Sequence, residues 1–204
     1  CTMYLDNTIC RAIAGYTQQM LTPVMLIVGE GAHPDKARLI DFLQEIASTS
    51  EQIVFDELMA DDQLAPTSFT LSTSAKDTGI VFTGVMGGQL FSALILAILQ
   101  AGGYAIKLDN QALSALGAID KPVQLQTLVE LNCVRCAHLV QALNALTLSC
   151  PMLSHEIIDV GRYPNDRQKS DNIPLPQVWQ NGVRLSLDEQ NANAIVQTLL
   201  ASLA

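Results

Sequence analysis

The sequence predicts an α/β protein made of two similar halves, each with a central mixed sheet flanked by helices. The main observation is that the same order of elements, strand, helix, strand, proline-led hairpin and helix, occurs twice along the chain. The Pro-Val pairs that open the two halves, Pro23-Val24 and Pro122-Val123, lie 99 residues apart. Strands joined by a hairpin run antiparallel and strands joined through a helix run parallel, so each sheet is expected to be mixed.

Composition excludes several classes of protein. Of the 204 residues 49% are hydrophobic and 15% are charged, and the formal net charge at pH 7 is −9. The apolar content is enough for a core and argues against general disorder. The acidic excess disfavours binding to nucleic acid or to an anionic membrane surface. Since no apolar run approaches the ~20 residues of a membrane span, and Asp6 and Arg11 interrupt any signal-like segment, we predict a cytoplasmic location.

The first half opens with a helix whose apolar side carries Ile9, Ile13 and Tyr16. A hairpin follows later, with its turn predicted at Thr78-Gly79. Short apolar runs and helical spacing predict the elements of this half in the following order: a helix within 1–22, a strand at 24–28, a helix at 35–48, a strand at 52–55, hairpin strands at 68–71 and 80–82, and a helix at 89–100.

The second half contains the strongest short hairpin signal of the chain, Asn181-Gly182. Its elements are predicted as a strand at 123–129, a helix from 133 to 149, a strand at 154–160, hairpin strands at 177–180 and 183–185, and a helix at 187–200. We therefore divide the chain into residues 1–104, a connecting segment 105–121 with a short helix, and residues 122–204.

Five cysteines, an odd and sparse set, do not form the disulfide framework of a secreted scaffold and are typical of a reducing compartment. Cys133 and Cys136 form a Cys-x-x-Cys motif where a strand ends and a helix begins. The helix N-terminus should stabilise a Cys133 thiolate and lower its pKa, and Arg135 adds a nearby positive charge. Cys136, one turn further on, can reach the Cys133 sulfur. We predict that Cys133 attacks a partner disulfide and that Cys136 resolves the mixed disulfide.

Two alternatives to a redox pair remain open at this point. Half of a zinc site would need about four ligands, and Cys150, His138 and His155 are poorly spaced to complete one. Two inert buried cysteines are the other alternative. The strand-to-helix position favours the redox interpretation, and we predict no metal. His138 is a candidate modulator that could carry a proton or favour the thiolate, unless it is a surface histidine without a role.

Pro176 follows Cys133 by 43 residues and directly precedes a predicted strand. A proline cannot donate a hydrogen bond to a central ladder, so it belongs at a strand start or in a special geometry. A cis Leu175–Pro176 bond would place backbone groups beside the dithiol, where an extended substrate segment could pair. Leu175 and Pro176 are therefore the candidate substrate-binding residues.

A set of short stretches extends over nearly the full chain and carries a family resemblance. The stretches are Thr22-Pro23-Val24, Phe82-Thr83-Gly84, Phe91 with the helix ending at Gly102-Gly103, Cys133-x-x-Cys136, Val140-Gln141-Ala142-Leu143-Asn144 and Pro176-x-Val178-x-x-Asn181-Gly182. In these the chain resembles the N-terminal region of the F subunit of alkyl hydroperoxide reductase. The resemblance implies two tandem thioredoxin-like folds, with the second carrying the transfer dithiol Cys133 and Cys136 and the cis-proline Pro176.

The resemblance also implies a role and partners. This region of the family accepts electrons from a thioredoxin-reductase-like flavoprotein, which binds FAD and NAD(P)H, and passes them to the disulfide of a two-cysteine peroxiredoxin. No cofactor is then expected in this chain, and the first fold, with Gly29-Glu30-Gly31 in place of a dithiol, is expected to be redox-inactive. The sequence departs from the family at Ala137, where a proline is usual, and at Gln89-Leu90, where a carboxylate is frequent.

Two other functions are kept as alternatives to this role. One is a general, glutaredoxin-like protein disulfide reductase that has other clients. The other is a non-catalytic interaction module that uses the same groove without turnover.

Overall fold

The computed structural model describes residues 4–164, 174–187 and 191–203. The helices are α1 (Asn7–Thr17), α2 (Lys36–Ala47), α3 (Leu90–Ala101), α4 (Asn110–Gly117), α5 (Val134–Ser149) and α6 (Ala192–Ala201), with a 3₁₀ turn at Glu57–Met59. The strands are β1 (Val24–Val28), β2 (Ile53–Phe55), β3 (Ser68–Ser72), β4 (Asp77–Thr83), β5 (Val123–Val129), β6 (Leu153–Asp159), β7 (Gln177–Gln180) and β8 (Val183–Leu185). None of the described helices has both the length and the apolar content that crossing a membrane requires.

The two halves share one sheet. Its eight strands lie in the order β2-β1-β3-β4-β6-β5-β7-β8. The four strands of each half form a mixed set, and β4 of the first half pairs in parallel with β6 of the second, from Ile80 opposite His155 to Thr83 opposite Ile158. This pairing covers what would otherwise be two open sheet edges. The predicted mixed α/β architecture is thus confirmed, with the two sheets joined edge to edge.

The turn predicted at Thr78-Gly79 is wrong. The hairpin closes earlier, where Thr73 N donates to Lys76 O, and Gly79 lies inside β4. Gly79 has a φ of +73°, and a Cβ added there would stand 3.1 Å from Leu153 O. A glycine at this position therefore reflects the close approach of β6 to β4, which a sequence pattern does not distinguish from a turn.

The ends of the chain show two further differences. Tyr16, predicted on the inner side of α1, is 54% exposed, because Ile13 and Thr17 form the buried side. The last helix begins at Ala192 with Asn191 as its N-cap, later than the predicted start at residue 187, and residues 188–190 lie outside the described ranges. The division into 1–104, 105–121 and 122–204 stays a prediction.

A central core, defined here by the buried residues around α3 and α5, crosses from one half to the other. It includes Leu90 and Leu94 of α3 together with Val129, Cys136 and Val140 of the second half. A second core lies beneath α4, α5 and α6. A small apolar cluster of Leu128, Ile158 and Val160, with Leu175 and Trp179 against it, forms a third. The apolar contact between α3 and α5 fixes the two halves against each other.

A buried polar network ties the dithiol-bearing helix to the sheet. The ring of His155 on β6 is hydrogen-bonded to Thr127 Oγ1 of β5 at 2.7 Å and to Asn144 Oδ1 of α5 at 2.8 Å. Since Asn144 Oδ1 is an acceptor, His155 Nδ1 carries the proton. His155 Nε2 then accepts a hydrogen bond from the Thr127 hydroxyl. Burial lowers the pKa of His155 from 6.5 to about 3, so the ring is neutral in the folded protein at neutral pH.

This network predicts a loss of stability in acid. The folded-state pKa of His155 lies below the unfolded value, so the unfolded chain binds the extra proton between pH 6.5 and about 3. The free energy of unfolding should therefore fall with decreasing pH, by up to about 1.4 kcal/mol per pH unit for one proton. Urea unfolding of the wild type and of His155→Gln from pH 7 to pH 4.5 measures this contribution as a difference in slope.

The matched control is His138→Gln, which removes an exposed histidine from α5. The control should keep the wild-type slope, whereas His155→Gln should flatten it. Identical slopes for the wild type and His155→Gln would contradict the assignment of the network.

Candidate dithiol site

The N-terminus of α5 carries the two cysteines of the Cys-x-x-Cys motif. Cys133 is the N-cap residue, in extended conformation, and its Sγ accepts a hydrogen bond from Cys136 N at 3.1 Å. Cys133 N in turn donates to Glu130 O at 3.2 Å, which turns the chain between the end of β5 and the helix. The two cysteines form a disulfide with their Cα atoms 5.2 Å apart. The spacing of three residues therefore brings the sulfurs together.

The two cysteines differ in exposure. Cys136 is 0% exposed and belongs to the central core, whereas Cys133 is half-buried at its edge. Among the described residues, Cys133 is thus the one of the pair that keeps contact with solvent, whereas Cys136 has none. This asymmetry is the one that a nucleophile and a resolving thiol need.

The Leu175–Pro176 peptide bond is cis, as the sequence predicts. Pro176 directly precedes β7, whose first residue, Gln177, pairs with Leu128 of β5. Since β5 ends one residue later and leads into Cys133, the start of β7 lies next to the approach to the dithiol. Leu175 also packs against both the central core and the small apolar cluster. The structure thus brings Leu175 and Pro176 to the end of β5 from which the dithiol loop starts.

The candidate modulators lie on the outer side of α5. Arg135 and His138 are both exposed. Across the described ranges the structure gives neither side chain a hydrogen bond or an ion pair, and their effect on the dithiol stays a prediction. Ala137, where the family usually has a proline, is buried and donates its N–H to Cys133 O at 3.2 Å, closing the first turn of the helix.

The first half contacts the dithiol loop directly. Gln89 N donates to Leu131 O at 2.8 Å, two residues before Cys133. A Cβ added to Gly88, whose φ is +57°, would stand 2.7 Å from the same Leu131 oxygen. Glycine is therefore required where the start of α3 meets the loop.

Sequence reasoning missed a cleft of about 290 Å³ between the two halves. Its lining includes Leu131 and Asn132, the residues that lead into Cys133. The lining carries four charged side chains, Arg38, Glu130, Asp159 and Arg162, together with Tyr163. The residues come from separate stretches of chain, so no local pattern could have identified them.

An ion pair spans the two halves at this cleft. Arg162 binds Asp35 through two hydrogen bonds, Nε to Oδ2 at 2.9 Å and an Nη to Oδ1 at 2.5 Å, and Tyr163 donates its hydroxyl to Oδ2 at 2.9 Å. The bond from Arg162 and then that from Tyr163 hold the pKa of Asp35 well below its usual range. Burial, followed by the Asp35 carboxylate, raises the pKa of Tyr163 to about 12. Asp35 is thus ionised and Tyr163 protonated at neutral pH.

Asp159 is a buried carboxylate of the cleft lining. Burial raises the pKa of Asp159, and the hydrogen bond from Gly161 N to its Oδ1, at 3.1 Å, partly offsets this. Within the described ranges, no three His, Cys, Asp or Glu side chains are grouped so that they could hold a metal ion. Cys150 is buried, with its Sγ 3.8 Å from Leu116 O.

The chain is similar in sequence to curated proteins. No protein-family profile matches the chain. A curated relative from Ferdinandcohnia aciditolerans, named NADH dehydrogenase, is 28% identical over 97% of this chain. The F subunit of alkyl hydroperoxide reductase of Xanthomonas campestris pv. phaseoli is 27% identical over 96% of it. The chain spans only 37% of the length of each of these relatives.

Solved structures extend the comparison to the fold. The NTD_N/C domain of alkyl hydroperoxide reductase AhpF from Enterococcus faecalis superposes with a TM-score of 0.84 at 20% identity, over 96% of this chain and 100% of that one. The chain resembles the N-terminal domain of AhpF. A protein disulfide oxidoreductase from Aeropyrum pernix has a TM-score of 0.79 at 13% identity, over 98% of this chain and 94% of that one. The predicted pair of thioredoxin-like folds is confirmed by these likenesses.

The unequal burial of the sulfurs predicts an order of alkylation. After reduction and removal of the reductant, iodoacetamide should modify Cys133 well before Cys136 and Cys150, because the latter two are buried. Trypsin cleaves after Arg135 and so places Cys133 and Cys136 on separate peptides, which quenched time points resolve by mass spectrometry. Tandem spectra separate Cys136 from Cys150 on the shared peptide. Equal labelling rates of Cys133 and Cys136 would contradict the assignment of the accessible thiol.

Proposed function

We propose that the chain is a thiol-disulfide oxidoreductase whose Cys133–Cys136 pair exchanges two electrons with disulfides in partner proteins. The observation that carries this proposal is the pairing of a half-exposed and a fully buried cysteine at the N-terminus of α5. The position of Pro176 directly before β7, next to the end of β5 that leads into Cys133, supports it independently.

In the reducing direction, the Cys133 thiolate attacks one sulfur of the partner disulfide. A new S–S bond forms, and the other partner sulfur leaves with the bonding electron pair and takes up a proton. Cys136 loses its proton and attacks the Cys133 sulfur, which releases the second partner thiol. The partner gains two electrons and two protons, and Cys133 and Cys136 return to the disulfide.

The surroundings of Cys133 favour its thiolate. The Cys136 N–H points at the Cys133 sulfur, and the positive end of the α5 dipole lies at the same place. Both stabilise a negative charge on Cys133 more than on Cys136, which lies within the apolar core. Electrostatics and exposure therefore both favour Cys133 over Cys136 as the attacking thiol.

Leu175 and Pro176 are proposed to bind the partner's chain. Pro176 has no N–H, and the residues after it are engaged with β5 from Gln177 onward. The backbone at Leu175 and Pro176 thus marks the place where an extended segment flanking the partner's disulfide can lie beside Cys133. Arg135 and His138, exposed on the same end of α5, are proposed modulators of the exchange.

We further propose a place for this exchange in an electron relay. A thioredoxin-reductase-like flavoprotein, holding FAD and NAD(P)H, would reduce the Cys133–Cys136 disulfide, and a two-cysteine peroxiredoxin would be the disulfide partner. The likeness to AhpF supports this, as does the further length of the relatives, which could house such a reductase domain. The sparse cysteines support a reducing compartment such as the cytoplasm.

The variants Cys133→Ser and Cys136→Ser test the assigned roles. With an oxidised two-cysteine peroxiredoxin, Cys136→Ser should accumulate a mixed disulfide that reductant cleaves, because the resolving thiol is missing. Cys133→Ser should lose exchange to background and form no adduct. Non-reducing electrophoresis and mass spectrometry of the adduct provide the measurement, and Cys150→Ser is the matched cysteine control.

Insulin serves as a second substrate in the same assay. If the wild type reduces insulin but leaves the peroxiredoxin oxidised, the peroxiredoxin is not the partner and a general disulfide reductase is favoured. If both substrates bind but neither is reduced, the chain is an interaction module and the oxidoreductase proposal is wrong.

The reduction potential of the pair tests the direction of electron flow. Equilibration in glutathione or dithiothreitol buffers should give one two-electron transition at or below about −200 mV, the range of proteins that donate electrons. A transition near about −120 mV, the range of strong oxidants, would reverse the assigned direction. At each buffer potential, alkylation of the free thiols followed by mass spectrometry gives the fraction of protein that is reduced.

A further inference from the structure

Asp35, and not Gly29-Glu30-Gly31 as expected from the sequence, holds the position in the first half that corresponds to that of Cys133 in the second. Each residue is the N-cap of the helix that follows the opening strand of its half. An N-cap aspartate ordinarily accepts a hydrogen bond from its own helix. Asp35 makes no such bond. Its side chain, only 13% exposed, instead binds Arg162 and Tyr163 of the second half.

Two further carboxylates, Glu130 and Asp159, line the cleft together with Arg162. Glu130 also lies against Gly161, the residue before Arg162, since a Cβ added to Gly161 would stand 3.8 Å from Glu130 Cγ. Arg162 is half-exposed at the pair, so the guanidinium has room to turn. Without the Asp35 charge, Glu130 and Asp159 are the carboxylates that remain for it in the cleft.

The place to which Arg162 would turn matters for access to the dithiol. Glu130 begins the turn whose next residues, Leu131 and Asn132, line the cleft and lead into Cys133. A guanidinium bound to Glu130 would stand across the part of the cleft that borders the approach to Cys133. A small disulfide needs little of this surface, whereas a protein disulfide, with the chain that flanks it, needs more.

We propose that Asp35 is a positioning residue for the dithiol site, which holds Arg162 and Tyr163 on the first half and so keeps the cleft beside Cys133 open to protein disulfides. The proposal rests on the proposed oxidoreductase function. It gives the first half, which has no cysteine at the corresponding position, a part in the choice of substrate. The hydrogen bonds from Arg162 and Tyr163 keep the pKa of Asp35 low, so the pair is fully charged at neutral pH.

The variant Asp35→Asn tests this directly, since it removes the charge and nearly keeps the shape. The KM for insulin, reduced with dithiothreitol as electron donor, should rise about fivefold, the scale of coupling between contacting charged residues. The kcat and the reduction potential of the Cys133–Cys136 pair should stay at the wild-type values. Single-turnover reaction of the pre-reduced protein with glutathione disulfide should also be unchanged.

A second variant separates positioning from a general loss of structure. Arg162→Gln removes the side chain that would cross the cleft, so its KM should lie closer to wild type than that of Asp35→Asn. In the double variant D35N/R162Q the KM should fall back towards that of Arg162→Gln. The matched control is Asp41→Asn, an exposed carboxylate on the same helix α2.

Each contrary result has a distinct meaning. An additive or larger defect in D35N/R162Q, or equal losses with insulin and glutathione disulfide, would overturn the positioning role. An unchanged KM in Asp35→Asn would do the same. If the wild type reacts with neither insulin nor glutathione disulfide, the proposed oxidoreductase function itself is wrong. This outcome is distinct from the results above, which concern only the variants.

Discussion

The parallel pairing of β4 with β6 is the interaction on which the rest of the structure depends. It joins two four-stranded sheets into one and brings α3 of the first half against α5 of the second, with a shared apolar core between them. Gly79 marks the close approach of the two strands. Because α5 carries the dithiol at its N-terminus, this pairing also brings the start of α3, at Gly88 and Gln89, against the loop that precedes Cys133.

The dithiol combines local and distant constraints. The helix N-terminus and the spacing of three residues are local, and they place the Cys136 N–H on the Cys133 sulfur. The burial of Cys136 is not local, since it results from the core built by both halves. Beneath the helix, the His155, Thr127 and Asn144 side chains fix α5 to the sheet through hydrogen bonds with a neutral ring. The helix that carries the dithiol is thus fixed both by the shared core and by hydrogen bonds to the sheet.

The two halves differ in the residue that they place at the same point of the fold. One has a cysteine at the helix N-cap, and the other has Asp35, which binds across to Arg162 and Tyr163. The cleft between the halves carries two carboxylates, Glu130 and Asp159, close to the end of β5. The lining also includes Arg38 of the first half, so the charged cleft belongs to the assembled pair of folds and to neither half alone.

The sequence by itself determined the α/β class, nearly every element and the position of the dithiol, because periodicity, turn residues and Cys-x-x-Cys spacing act over a few residues. It also pointed to the cis bond before Pro176. Tertiary structure decided the rest: that Gly79 lies within a strand, that Tyr16 faces outward, and that Asp35 meets Arg162 across 127 residues of chain. These outcomes depend on which strand edges pair and which helices pack, and pairing energies between distant segments leave no local pattern in the sequence.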